Sequence, residues 1–283
     1  MRALYCGDVV GRSGRDAIHK WIPELRERLA LDFVLVNGEN AAHGFGITRD
    51  ICQGFYDVGV DAITTGNHAW HQREIIPHIS ADPRLLRPLN YPEGTPGVGA
   101  ATYETRTGRR VMVLQVMGRL FMEPLDDPFA AAKRALLNHR LGGHRFGGTL
   151  DCIIADIHAE ATSEKAAFGH VLDGRVSLVA GTHSHVPTAD ARILPGGTAF
   201  ITDVGMCGDY NSVIGMEKDE ASARFTRKVP AGRLQPASGE ATLCGVVLET
   251  DDATGLARRV EAIRLGGCLS PRDPDMGQAE KFV

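Results

Sequence analysis

With 283 residues, 43% of them hydrophobic, the chain can bury a full core as one large α/β domain or two smaller ones. A formal charge of −4, from 31 basic and 35 acidic residues, excludes a broad cationic surface for nonspecific nucleic-acid binding but leaves room for a local anion site. The start, Met1 to Asp8, lacks the apolar core of a signal peptide, and no later stretch reads as a membrane span, so the expected location is the cytoplasm.

In chain order, Arg2 to Cys6 reads as a first strand, and Gly7 to Arg15 turns it into a helix running to about Leu29. The glycines at 7, 11 and 14 do not match a G-x-G-x-x-G fingerprint, and Asp8 would repel a pyrophosphate unless a cation lay between. Phe33 to Val36 is a second strand, ending in Asn37-Gly38-Glu39-Asn40. A helix from about Thr48 to Val58 and a strand over Asp61 to Thr65 lead to Gly66-Asn67-His68. Three successive strands thus end in ligand-type residues: Asp8, Glu39 with Asn40, and Asn67 with His68.

Residues 81–108, rich in Pro and Gly, are expected to form surface connections around a short strand near Leu86 to Leu89. Val111 to Val116 resumes the sheet, Gly118 to Met122 is a loop placed to cover a site, and Phe129 to about His139 is a helix. Cys152 to Ala155 and Val176 to Ala180 are short buried strands, and each delivers histidine at its end: Asp156-Ile157-His158-Ala159-Glu160, and Gly181-Thr182-His183-Ser184-His185. Ser163 is the expected N-cap of a helix to Leu172. At i and i+2, His183 and His185 would point to the same side if the backbone is extended. Ala199 to Thr202 is a further strand, leading to Asp203-Val204-Gly205; Ala241 to Glu249 and Ala257 to Leu265 form an antiparallel pair. Residues 1–268 are expected to make a single domain, with a flexible tail over 269–283. The six cysteines, widely spaced and without a C-x-x-C pair, read as free thiols.

Asp8, Glu39, Asn40, Asn67, His68, His158, His183 and His185 exceed what one metal needs. Mixed carboxylate, amide and imidazole donors suit two divalent ions of the Mn, Fe or Zn type, about 3.5 to 4 Å apart, holding a phosphate between them. A lone histidine at a strand end is more often only a hydrogen-bonded side chain; several together are not so explained.

These motifs resemble the calcineurin-like metallophosphoesterases, and among them the bacterial YmdB-like phosphodiesterases. The similarity runs from Gly7-Asp8 through the Asn37 to Asn40 cluster, Gly66-Asn67-His68, Asp156 to Lys165, Gly181 to Asp190, and Asp203 to Met206, in the family's order. It implies an α/β fold, a calcineurin-like metallophosphoesterase sandwich of two mixed β-sheets packed face to face and flanked by helices. It also implies that Asp8, Glu39, Asn40 and His185 hold one metal, that Glu39 bridges, and that Asn67, His158 and His183 complete the other. His68 would face the leaving group. The broader superfamily usually opens with Asp-x-His, and Val10 stands where that histidine would be; Asn40 is the expected substitute.

The implied activity is hydrolysis of a small phosphodiester, with 2′,3′-cyclic nucleotides leading, by attack of a metal-bridging hydroxide with His68 as proton donor. Iron or manganese are the expected ions, with zinc as a further candidate. Arg12, Arg15, His43 and His71 are candidate substrate contacts, although solvated arginines are the commoner outcome. His19, His78, His139, His144 and His170 read as surface or structural. Two other readings stand: a phosphomonoesterase such as a 5′-nucleotidase, and a regulatory RNA- or protein-binding module that uses the metals for recognition. A homo-oligomer is compatible with either.

Overall fold

Side chains alternate across the first strand, β1 (Arg2–Cys6): Ala3 and Tyr5 enter one buried cluster, Leu4 and Cys6 another. A strand buried on both faces needs a layer on each side. The structure, a computed structural model, describes residues 1–143, 147–228 and 232–277. After β1 come the short β2 (Asp8–Val9), α1 (Gly11–Arg28), β3 (Phe33–Asn37), α2 (Arg49–Asp57) and β4 (Ala62–Thr64). A 3₁₀ turn at Gly66–His68 precedes α3 (Ile75–Ile79), β5 (Leu85–Leu86), β6 (Ala100–Glu104) and β7 (Arg110–Met117). Then follow α4 (Pro128–Ala135), β8 (Cys152–His158), α5 (Thr162–Leu172), β9 (Leu178–Thr182), β10 (Arg192–Ile193), β11 (Ala199–Ile201) and β12 (Met206–Cys207). Last are α6 (Lys218–Thr226), β13 (Leu243–Thr250) and β14 (Ala257–Leu265).

One six-stranded sheet has the order β14-β13-β1-β3-β4-β5, parallel from β1 to β5 and antiparallel at β13 and β14. The other has the order β10-β11-β9-β8-β7-β6, with antiparallel edges at β10 and β6. Their inner faces share one core, in which Tyr5, Phe33 and Leu35 join Val113, Ile154 and Ile201. Outside, Ile18, Ile22 and Phe55 from α1 and α2 cover the first sheet, and Phe168 and Leu172 from α5 cover the second. This is the expected sandwich, two mixed sheets face to face with helices outside.

Several boundaries differ from the sequence reading. β8 continues three residues past Ala155, because Asp156 to His158 keep their parallel register with Gln115 to Met117. The Pro- and Gly-rich stretch yields β5 and β6 rather than a strand at Leu86 to Leu89; its breakers bracket residues 100–104 without interrupting them. Helix α4 stops at Ala135, short of His139, and α1 begins at Gly11, so Arg12 to Arg15 are helical. Ser163 is not an N-cap: α5 starts at Thr162, and Ala161 occupies the cap without a side-chain bond. The helices α3 and α6 and the strands β2, β10 and β12 have no counterpart in the sequence reading.

Of the segment expected to fray, residues up to Gly277 are held by specific contacts. Arg264 and Arg272 exchange backbone hydrogen bonds, and the Arg2 guanidinium donates to Met276 O at 2.7 Å and Gly277 O at 3.0 Å. His144 lies outside the described residues. Among those described, no helix is long and apolar enough to cross a membrane. All six cysteines are free thiols, five of them buried.

Candidate metal centre

Parallel strands bring their C-terminal ends to one edge of each sheet, and the two edges meet. From the first sheet come Asp8 beyond β1, Glu39 and Asn40 beyond β3, and Asn67 and His68 in the 3₁₀ turn beyond β4. From the second come His158, the last residue of β8, and His183 and His185 just beyond β9.

Glu39, His158 and His183 each offer a donor atom within 4.8 Å of the others. His158 Nε2 lies 2.8 Å from Glu39 Oε2, 2.9 Å from Asn67 Oδ1 and 3.1 Å from His183 Nδ1. The first of these is not a hydrogen bond, since Glu39 Oε2 is buried without a partner. Asp8 Oδ1 and Asn40 Oδ1 are also buried and unpartnered. Three orphaned oxygens among eight candidate residues are the mark of a cation site, because an unmet buried acceptor costs free energy. The donor set therefore fits divalent metal.

Local structure aims these atoms. Asn37 Oδ1 accepts from Glu39 N at 3.0 Å, an Asx turn that lifts Glu39 out of the strand direction. Asn40 Nδ2 donates to Gly44 O at 3.0 Å, which leaves Oδ1 facing inward. His185 Nδ1 donates to the Ile214 carbonyl at 2.8 Å and so keeps the Nε2 lone pair free. The same-side expectation for His183 and His185 does not hold, because β9 ends at Thr182 and both residues are left-handed, with φ of 95° and 64°. His183 turns to His158 and Glu160; His185 faces Asp8, whose charge it favours.

Asp203 holds that strained turn. Its Oδ2 accepts from Ser184 N at 3.1 Å, Ser184 Oγ at 2.7 Å and the Lys165 ammonium at 2.7 Å, with Lys165 and Asp203 both fully buried. Gly181 must be glycine here, since a Cβ would sit 1.8 Å from Thr202 O.

Electrostatics agree with a cation. Burial pushes Asp8 and Glu39 well above the ordinary carboxylate range; His185 opposes this at Asp8, and the Asp156 charge adds to it at Glu39. Burial, then Lys165 and His185 at His158 and the neighbouring imidazoles and Lys165 at His183, pushes both rings down to about 3, so both are neutral imidazoles of the kind metals take.

His68 has its Nε2 3.7 Å from Glu39 Oε1 and its Nδ1 3.1 Å from His71 Nδ1, with Phe45 edge-on at 5.2 Å. Burial, then His71 and the other imidazoles, pushes it down to about 3, so the ring is neutral before substrate arrives. His71 therefore joins the site through His68. His43 is exposed with φ 53°, and no side-chain bond ties it to the centre. Arg12 points to solvent and lies 3.7 Å from Asp16, while Arg15 is spent on the Ala41 carbonyl.

Sequence reasoning missed the supports. Asp156, fully buried, accepts from Tyr5 at 2.5 Å, Gln115 at 2.6 Å and Thr182 at 2.8 Å. Gln115 Oε1 in turn accepts from Gly66 N at 3.1 Å and Thr65 N at 3.3 Å, tying β7 to the turn that carries Asn67 and His68. A glutamine inside the apolar run Val111 to Val116 was the visible signal.

Two mixed sheets joined face to face, with acidic, amide and imidazole donors gathered where their strands end, define a fold of the metallophosphoesterase type. Residues 4–263 match the model of the YmdB-like protein family, and the chain belongs to that family. It is 46% identical over 263 residues to a Bacillus subtilis (strain 168) 2′,3′-cyclic-nucleotide 2′-phosphodiesterase, covering 93% of this chain and 96% of the relative. A crystal structure of a hypothetical protein from Thermus thermophilus superposes with TM-score 0.86 at 41% identity, covering 95% of this chain and all of the other. That of a novel phosphatase from Mycoplasma pneumoniae gives 0.85 at 34% identity, covering 94% and 93%.

Proposed function

We propose that this protein is a metal-dependent phosphodiesterase of 2′,3′-cyclic nucleotides, with residues 1–268 forming one catalytic unit. The observation that carries the reading is the convergence of unpartnered acceptors on Asp8, Glu39 and Asn40 beside three neutral or lone-pair-bearing imidazoles. Similarity to the Bacillus enzyme across nearly the whole of both chains supplies the substrate class.

Asp8, Asn40 and His185 would hold one divalent ion, Asn67, His158 and His183 a second, and Glu39 both. Three imidazoles with only two carboxylates favour iron or manganese, with zinc as a further candidate, over magnesium, which prefers all-oxygen octahedra. When bound, such ions supply Lewis acidity toward the phosphoryl oxygens and make a water acidic enough to be a nucleophile. The chain does the rest. Glu39 and Asp8 would compensate the charge of the dications.

His68 stands half-buried beside the ligand cluster, its Nε2 3.7 Å from Glu39 Oε1, where it can deliver a proton to the departing ribose oxygen. Its neutral resting state is no obstacle, because an anionic phosphodiester beside the ring favours the protonated form. The direct test compares purified protein on a 2′,3′-cyclic nucleotide and on nucleoside monophosphates. A diesterase turns over the cyclic ester and leaves the monophosphates largely intact. The reverse preference would make it a nucleotidase, and no turnover of either would favour a binding module.

A further inference from the structure

The loop after β7 is fastened next to a candidate ligand and presents an apolar ring to solvent. Gly118 N donates to the His158 carbonyl at 2.9 Å, so the loop departs from the edge of the metal centre. Glu164, a buried residue of α5, then receives three contacts: Arg119 N at 3.0 and 3.1 Å to its two oxygens, and Leu120 N at 3.1 Å. Gly118 allows this approach, since a Cβ there would lie 2.5 Å from Glu164 Oε2. Asn90 ties the two ends of the loop together by donating to Met117 O at 2.8 Å, just before Gly118, and to Asp126 O at 2.9 Å beyond it.

Between these anchors Phe121 is 91% exposed, with φ of 63°. A phenylalanine in left-handed backbone is strained, and the surroundings must hold it there. An exposed phenyl also forgoes its own burial. Strain and exposure together at the tip of an anchored loop suit a ring kept ready for a ligand. Three residues of chain reach at most about 11 Å, which keeps Phe121 within range of a base joined through one ribose to a phosphate at His158.

On the cyclic-nucleotide reading of this site, we propose that Phe121 is the stacking platform for the substrate's nucleobase and that Glu164 is the positioning residue that holds it. Every base offers a π face, so the platform favours nucleotides over base-free esters without strong preference among bases.

The test uses equilibrium binding as well as turnover. Adenosine 3′-monophosphate and the 3-phosphate of methyl riboside, which lacks the base, are titrated calorimetrically into metal-replete protein. Wild type should bind the adenosine probe roughly 5- to 100-fold more tightly, the gain of one stacked base. Phe121→Ala should remove that difference, Phe121→Trp should keep it, and Glu164→Gln should reduce it. In turnover, Phe121→Ala should raise KM for adenosine 2′,3′-cyclic phosphate by the same factor with kcat within about twofold, and leave the base-free cyclic phosphate unchanged. The exposed position leaves the fold intact, which thermal melting checks. Equal affinity of wild type for both probes, or a base-dependent gain that survives in Phe121→Ala, would overturn the proposal. So would a change of oligomeric state as the only effect, which would make Phe121 a contact between copies. Base-dependent binding without cyclic-ester turnover would support the platform and remove the diesterase reading instead.

Discussion

Asp156 and His158 are joined through one hydroxyl: Thr182 Oγ1 donates to Asp156 Oδ1 at 2.8 Å and lies 2.9 Å from His158 Nδ1. A hydroxyl has a single proton, and this one is committed to the carboxylate, so the proton between Thr182 and His158 belongs to Nδ1. The Nε2 lone pair is then turned toward Glu39, Asn67 and His183. Asp156 thus sets the tautomer of a proposed ligand without touching it.

Thr182→Val removes both bonds while keeping the shape of the side chain. Loss of an outer partner of a ligating histidine typically lowers metal affinity 10- to 100-fold. A drop of about that size in competition with a chelator is expected, with Thr182→Ser near wild type. Equal affinity in all three proteins would show that the tautomer is set by the metal alone.

Burial pushes Asp156 up to about 6, against the opposing pull of Tyr5, Thr182 and Gln115. An unfolded aspartate titrates near 4, so in the metal-free protein the folded state retains a proton that the unfolded chain releases. Its contribution to stability is fully present below about pH 4 and is lost as pH rises through about 6, by roughly 3 kcal/mol. Asp156→Asn cannot titrate. Urea unfolding of the chelated proteins should therefore show wild type losing stability relative to the variant between those pH values, and no further loss above. An opposite slope would mean that the carboxylate is already ionised in acid.

The positions of the site were legible because each candidate follows a mainly apolar run, at Cys6, Val36, Thr64, Ala155 and Ala180. Their directions were not. The left-handed turn at His183 and His185 is fixed by Asp203, beyond another strand, and Lys165, on a helix, and local periodicity carries no such information. β6 was hidden for a different reason: proline and glycine mark the ends of a short strand as well as a loop. The sandwich itself was legible through family resemblance more than through pattern, since strands buried on both faces look alike whichever layer they join.

His68 separates chemistry from metal binding. A ribose alkoxide needs help to leave, and a general acid contributes roughly 10² to 10⁴ in rate, whereas a nitrophenolate needs little. His68→Ala should keep its metals, lose about that factor in kcat on a 2′,3′-cyclic nucleotide, and lose far less on bis(4-nitrophenyl) phosphate. With the protonated ring as the proposed acid, kcat on the cyclic ester should fall as pH rises past the value reached in the substrate complex. Equal losses on both esters would leave His68 as a phosphate-positioning residue, and loss of metal would make it a ligand.

In the proposed mechanism two metals held by Asp8, Glu39, Asn40, Asn67, His158, His183 and His185 carry the hydrolysis of a cyclic phosphodiester. The most direct measurement follows turnover of a 2′,3′-cyclic nucleotide beside elemental analysis while the protein is stripped with chelator and then restored with iron or manganese. Activity should track metal content, vanish in the stripped protein, and return as occupancy approaches two ions per chain, with magnesium a poor replacement. Undiminished turnover by protein in which no metal is detectable would contradict it.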